Sequence, residues 1–311
     1  MIINTGSRTD IPAFYSKWLI NRIREGYVLV RNPFYPSQVT KYSLSPDVVD
    51  CLAFCTKNPK PMFKYLDELD KYKQYWFVTI TPYGKNIEPN VADKFDVIES
   101  FKILSRHFGI DSIGWRYDPI FIGEGFDVKR HINEFERMAK VLKGYTHDCT
   151  ISFLDLYEKV KNNAPSIKPP SKEEQIEIAI AFEKIGKEND MIIHACCEKE
   201  FLKEYGIDCK GCMSQEIIEK GIGKKLNPPK KKNIRDGCNC LMGNDIGAYN
   251  TCPHMCKYCY ANANEKLVRI NIKRHFENSP FLIGKEEAED KITDAKQKSW
   301  VKSDADQISF F

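Results

Sequence analysis

Nine of the chain's twelve cysteines fall between Cys196 and Cys259, and the last three are spaced in a way that could do chemistry. They stand in the run Cys252-Pro-His-Met-Cys256-Lys-Tyr-Cys259. Thiols separated by three and then two residues can converge on three corners of one metal–sulfur cube, leaving the fourth corner without a protein ligand. A cluster held by four cysteines mainly passes electrons, whereas an iron with an open position also binds and activates a substrate. Zinc would want four closed ligands, and His254 could supply one only from inside the same tight loop.

Six further cysteines lie just upstream: Cys196, Cys197, Cys209, Cys212, Cys238 and Cys240. Four of them would complete a second site, because the C-x-C and C-x-x-C spacings let adjacent thiolates share one metal or cluster. The expected ligands are Cys197, Cys212, Cys238 and Cys240, with Cys209 and Cys196 as substitutes. A second [4Fe–4S] cluster, structural zinc and free or redox thiols are the three readings. Cys51, Cys55 and Cys149 lie in hydrophobic runs and read as small buried apolar residues.

The elements that must position these groups are short apolar runs alternating with longer amphipathic segments. Expected strands are Met1–Asn4, Tyr27–Arg31, Val48–Phe54, Trp76–Ile80, Ser112–Trp115, Cys149–Phe153 and Met191–Ala195. Most are continuously apolar, as parallel strands buried on both faces are. Expected helices include Ala13–Glu25, Val97–His107, His131–Leu142 and Glu173–Glu188. This alternation predicts an α/β fold, either a (β/α) TIM-like barrel or a doubly wound sheet. Polar residues gather after successive strands, which favours the barrel, where chemistry sits at the C-terminal strand ends. Ile246–Asn250 would be the closing eighth strand, followed by the cysteine loop and a helix over Tyr260–His275. The organisation reads as a barrel body (1–195), a cysteine-rich segment (196–245), a closing strand with cluster loop and helix (246–277) and a polar tail (278–311). That tail reads as a surface helix or a partly disordered end.

Arg116, Asp118, Asp155 and Lys57 stand at strand ends and are the candidate catalytic groups, since acids and bases at a barrel mouth are often functional. His194 reads as a packing residue. Lys224, Lys225, Lys230–Lys232 and Arg235 form a basic stretch that suits a solvated loop or phosphate contact. The formal charge of +4 neither requires nor excludes a nucleic-acid partner. At 311 residues, 42% of them hydrophobic, the chain can bury a sizeable core. No run suits a membrane span or a signal peptide, so no membrane role and a cytoplasmic location are expected. Such a reducing compartment gives the cysteines little use as disulfides.

At Cys252, Cys256 and Cys259, with aromatic Tyr258 before the third thiol, the chain resembles the radical S-adenosylmethionine enzymes. The resemblance implies a [4Fe–4S] cluster whose open iron holds S-adenosylmethionine. It also implies cleavage of that cofactor to a 5′-deoxyadenosyl radical, which abstracts hydrogen from a substrate. In that superfamily the cysteine loop follows the first barrel strand, so here the barrel would be permuted. The segment after the cysteine loop would then be the chain's beginning, and Gly6, Ser7, Arg8 and Asp10, with Tyr258, would bind the cofactor. Arg8 could hold its carboxylate through two parallel hydrogen bonds, and Asp10 could accept from its ammonium.

More of the chain resembles a narrower group, an uncharacterised prokaryotic family defined as a domain of unknown function with such a cluster motif at its C-terminal end. The matching segments are Ser7-Arg-Thr-Asp-Ile-Pro-Ala-Phe-Tyr15, Val30-Arg-Asn-Pro33, Thr56-Lys-Asn-Pro59, Trp115-Arg-Tyr-Asp-Pro119, Ser152-Phe-Leu-Asp155 and Asp245-Ile-Gly-Ala-Tyr-Asn-Thr-Cys252. A small molecule or a nucleic-acid base is the expected substrate, with a reducing donor such as flavodoxin or ferredoxin. The competing expectation is a zinc- or cluster-stabilised nucleic-acid-binding protein without catalysis.

Overall fold

The continuous apolar runs become parallel strands in the computed structural model, which describes residues 1–198, 200–229, 238, 240–241 and 244–302. The strands in chain order are β1 (Ile2–Asn4), β2 (Tyr27–Arg31), β3 (Gln38–Ser43), β4 (Cys51–Thr56), β5 (Gln74–Thr79), β6 (Ile113–Ile120), β7 (Asp148–Phe153), β8 (Ile192–Ala195) and β9 (Lys291–Asp294). Six of them form one parallel sheet in the order β1-β4-β5-β6-β7-β8. Every residue of β1 and β4 is buried, which explains why these strands carry no alternating polar face.

Helices Lys94–Phe108, Val128–Leu142 and Lys172–Glu188 connect successive strands from β5 to β8. Each starts at a residue whose side chain caps it: Asp93, Asp127 and Ser171. Ser171 and Glu174 make a reciprocal capping box, satisfying two otherwise unpaired backbone donors. The helices pack through aromatic rings. Phe135 stacks between Trp115 of β6 at 4.8 Å and Phe182 of the next helix at 3.7 Å. The largest core takes in Ile2, Phe54, Trp76, Met213, Ile246 and Trp300. Cys51, Cys55 and Cys149 are buried within it, as their apolar surroundings suggested.

The expected eightfold barrel is replaced by this six-stranded sheet, and no closed barrel forms among the described residues. Two single parallel bridges extend its edges, Asn4 with Asp245 beyond β1 and His194 with Asp208 beyond β8. The two edge segments approach each other where Leu241 N–H donates to Met213 O at 2.9 Å. The eighth strand, Ile246–Asn250, does not form. The Asp245 carboxylate accepts from Gly247 N–H at 2.9 Å, and Asn250 turns into the left-handed region at φ 57°, so the chain bends where a strand would extend.

β2 forms where expected but joins a second sheet in the order β2-β3-β9. Only residues 32–37 separate β2 from β3, too few for a crossover, so the pair is antiparallel. The tail contributes β9, parallel to β3, in place of a surface helix, and Trp300 is buried. Among the described residues no helix is long and apolar enough to cross a membrane.

Candidate functional site

The strand ends do converge. One cavity of about 750 Å³ is lined by Asn4 and Gly6 after β1, Thr56 and Lys57 at β4, Thr79 at β5, Arg116 and Asp118 of β6, Ser152 to Asp155 at β7, and Cys196 and Cys197 after β8. The same cavity is lined by Cys212, Cys238, Cys240, Cys252, Cys256 and Cys259. Apart from Cys209, both cysteine groups and every candidate catalytic residue therefore face one space.

The three-cysteine loop is held from several sides. Asn90 N–H donates to His254 O, Lys257 N–H to Ile87 O, and Asn262 Nδ2 to Cys252 O. Met255, between the first two thiols, has φ 56°, a left-handed conformation that a bulky residue adopts only when its surroundings enforce it. Cys259 Sγ accepts Ala261 N–H at 3.3 Å, which fixes the sulfur against the backbone that follows it. Burial is the main reason the Cys252 and Cys256 thiols are raised, Cys256 to about 12 even with Lys57 opposing. A metal would have to displace those protons.

His254 is not available as a fourth ligand. Its Nε2 meets Asp10 Oδ2 at 2.8 Å and its Nδ1 faces Asn90 O at 3.4 Å. Asp10 also accepts Lys57 N–H and caps the short helix Ile11–Phe14, so it acts as a brace for the cysteine loop. Arg8 pairs with Asp245 through Nε at 2.8 Å and also donates to the Asp245 carbonyl. Ser7 N–H donates to the same carboxylate at 2.7 Å. Arg8 and Asp10 thus each grip the C-terminal segment. Gly6 lines the cavity where a Cβ would stand 2.1 Å from the Cys55 carbonyl oxygen, so only glycine fits that approach.

Sequence reasoning missed the buried partner that organises Tyr258 and Lys57. Glu88 accepts from the Tyr258 hydroxyl, from Lys57 at 2.9 Å, from Thr81 at 2.6 Å and from Lys94 at 3.3 Å. Burial alone would raise its carboxyl, but Lys57 and Lys94 bring it down to about 2. Lys57 is raised because Glu88 and Cys256 outweigh its burial. Glu88 stands in an ordinary polar loop stretch, with no local signal that it would fold under the cysteine loop.

At the other side of the cavity Arg116 pairs with Asp118, which also accepts from Ser152 Oγ. The register between β6 and β7 shifts between Tyr117 and Ile120, a bulge that re-aims this strand end. The Arg116 Nε is buried and has no hydrogen-bond partner. Asp155 is exposed at the cavity edge. Glu198, which sequence reasoning did not select, accepts Phe153 N–H at 2.7 Å and is raised to about 8 by burial and by Asp155 and Asp118. His194 is buried between Asp148 at 2.7 Å and Asp208 at 3.2 Å.

The upstream thiols gather, with one change of membership. Cys212 Sγ lies 3.3 Å from both Cys196 and Cys240. Cys197 and Cys238 interact with each other and with this trio. Sharing of protons lowers Cys196 and Cys238 and raises their neighbours. Cys209 faces the Ile207 carbonyl at 3.7 Å instead. Cys197 has φ 58°, which turns the chain directly after β8 and lets successive cysteines face one another. The thiols touch more closely than the roughly 3.8 Å edge of a tetrahedron with zinc–sulfur bonds. Among the described residues no group of three or more His, Cys, Asp or Glu side chains stands in ligand geometry, neither the upstream thiols nor the Cys252, Cys256 and Cys259 triplet. Of the basic stretch, Lys225 pairs with Glu219 at 2.8 Å, while residues 230–237 lie outside the described residues.

Fold and site define an α/β protein with a parallel sheet whose C-terminal strand ends open into a cysteine-lined cavity. Residues 2–261 match the family described as Domain of unknown function (DUF1848), and the chain belongs to that family. No curated protein and no solved structure matches it.

Proposed function

We propose that the chain is a radical S-adenosylmethionine enzyme acting on a substrate held in the cysteine-lined cavity. The observation that carries this reading is that Cys252, Cys256 and Cys259 all line that cavity while the one other donor type inside their loop is already engaged. His254 is committed through both ring nitrogens to Asp10 and Asn90. Three thiols without a fourth protein ligand suit an open-site [4Fe–4S] cluster better than zinc. Bound there, the cluster would supply the electron that cleaves S-adenosylmethionine to a 5′-deoxyadenosyl radical.

The chain's own residues would bind and orient. The cavity is lined by the carboxylates Asp10, Asp118, Asp155 and Asp245, with Glu198 raised to about 8 and so protonated near neutral pH, against the cations Arg8, Lys57 and Arg116, each of which is already ion-paired. That slight acidic excess suits a sulfonium and ammonium. Arg8 would offer Nη1 to a carboxylate, because among the described residues it donates through Nε and Nη2. Gly6, whose missing Cβ lets this loop pack on the Cys55 carbonyl, would present backbone to the ligand. Lys57, fixed by Glu88 beside Cys256, would offset thiolate charge. Arg116 with Asp118, and Glu198 with Asp155, would form the substrate side. Four of the five gathered upstream thiols would hold a second [4Fe–4S] cluster, with Cys196 rather than Cys209 among the ligand candidates. In this reading the open six-stranded sheet would do the work of the superfamily's barrel, with its elements in permuted order.

The acidic lining also favours an uncharged or cationic substrate over a nucleic-acid strand, and so favours catalysis over a binding module. Anaerobic reconstitution with iron and sulfide tests the metal assignment. The wild-type chain should take up about eight irons, about four per cluster, and Cys256→Ala should lose about four of them. Stoichiometric zinc with no iron uptake would refute the reading.

A further inference from the structure

The helix Glu265–Lys273 begins shortly after Cys259 and is tied to the cysteine loop. Asn271 Nδ2 donates to Asn250 O at 2.9 Å, and Asn262, ahead of the helix, donates to Cys252 O at 2.7 Å. Among its residues only Val268 is buried. At 100° per residue, Lys266, Arg269, Ile270, Lys273 and the following Arg274 share the outward side. Ile270 is 45% exposed at the centre of that side, with Leu267 and Phe276 exposed at its margins. The nearby acids are Glu265, paired with Arg269, Glu287, 3.7 Å from Arg274, and Glu277, paired with Lys17. Lys285 adds a further cation over the Phe276 ring. The surface therefore has an apolar centre with a cationic surround.

We infer that this helix face is the docking site for an acidic one-electron carrier protein that reduces the cluster on Cys252, Cys256 and Cys259. The inference rests on the cluster reading above. An apolar centre within a charged rim is the anatomy of a protein interface, and the positive rim is complementary to an acidic partner. The helix follows the cysteine loop directly and is hydrogen-bonded to it through Asn271 and Asn250, which links the docking face to the electron acceptor. One electron passes from the carrier, which is oxidised by one electron, to the cluster, which is reduced by one; no proton or group needs to move. A nucleic-acid strand would use the cations but leave Ile270 without a role.

Photoreduced flavodoxin, an acidic carrier, serves as the probe, with the full chain reconstituted anaerobically. In Lys266→Glu/Lys273→Glu and in Ile270→Asp, cluster reduction by flavodoxin should slow roughly tenfold or more at low salt. Reduction by dithionite, which needs no docking, should be unchanged. Lys140→Glu/Lys187→Glu, on two other helices, should behave as wild type. The wild-type rate should also fall with ionic strength. Unchanged flavodoxin rates in the helix variants, or equal slowing in the control variant, would overturn the docking site while leaving the cluster intact. Unchanged flavodoxin rates alongside variant-sensitive binding of single-stranded DNA would assign the face to nucleic acid. A protein that takes up no iron would overturn the cluster reading, and this inference with it.

Discussion

At the scale of residues, the spacing of the cysteine triplet was legible, but the partners that fix it were not. Asp10 and Arg8 read as cofactor ligands, and in the fold they also grip His254 and Asp245 from the far end of the chain. Glu88 had no signature, because its role comes from three segments meeting in space: β4's end, its own loop and the cysteine loop. The choice among the upstream cysteines was underdetermined for the same reason. Spacing shows which thiols are adjacent in sequence, and only the turn at Cys197 decides which face one another. Cys196→Ser should therefore lower the iron content of the second centre and broaden its electron paramagnetic resonance signal, whereas Cys209→Ser should leave both as in wild type. Iron loss in Cys209→Ser with none in Cys196→Ser would reverse this assignment.

At the scale of elements, helix and strand positions followed from periodicity, and the failures have local causes. Six of seven expected strands became the parallel sheet because continuous apolar runs tolerate burial on both faces. β2 looked the same in composition but was paired by its short connection to β3. The eighth strand was lost to the Asp245–Gly247 turn. The helix Val128–Leu142 has an anchor that periodicity does not show. His131 meets the Tyr117 hydroxyl at 2.9 Å and the Phe121 carbonyl at 2.8 Å. Burial is the leading cause that lowers its imidazole, so the folded state resists taking up this proton. The unfolded chain binds the proton more readily, so this contribution to stability is full above the ordinary imidazole value and declines as pH falls below it. Denaturant titrations should show stability falling by up to about 1.4 kcal/mol per pH unit from this one site. His131→Gln should flatten that slope; an unchanged slope would remove His131 as its source.

At the scale of the whole molecule, the open sheet does what a barrel was expected to do, gathering its strand ends at one cavity. Its edges are extended by single bridges at Asn4–Asp245 and His194–Asp208, and each edge leads into one cysteine group. That arrangement explains why residues as distant in sequence as Gly6 and Cys259 line the same space. Strand count and closure were beyond sequence reasoning because they depend on turns set by single side chains. The convergence itself was legible, since polar residues follow successive apolar runs. The central claim is that this cavity makes a radical from S-adenosylmethionine. The direct measurement is 5′-deoxyadenosine after the reconstituted chain is reduced anaerobically with S-adenosylmethionine. The account predicts its formation by the wild-type chain and its loss in Cys256→Ala. An iron-loaded wild-type protein that forms none, or a Cys256→Ala variant that still forms it, would contradict the account.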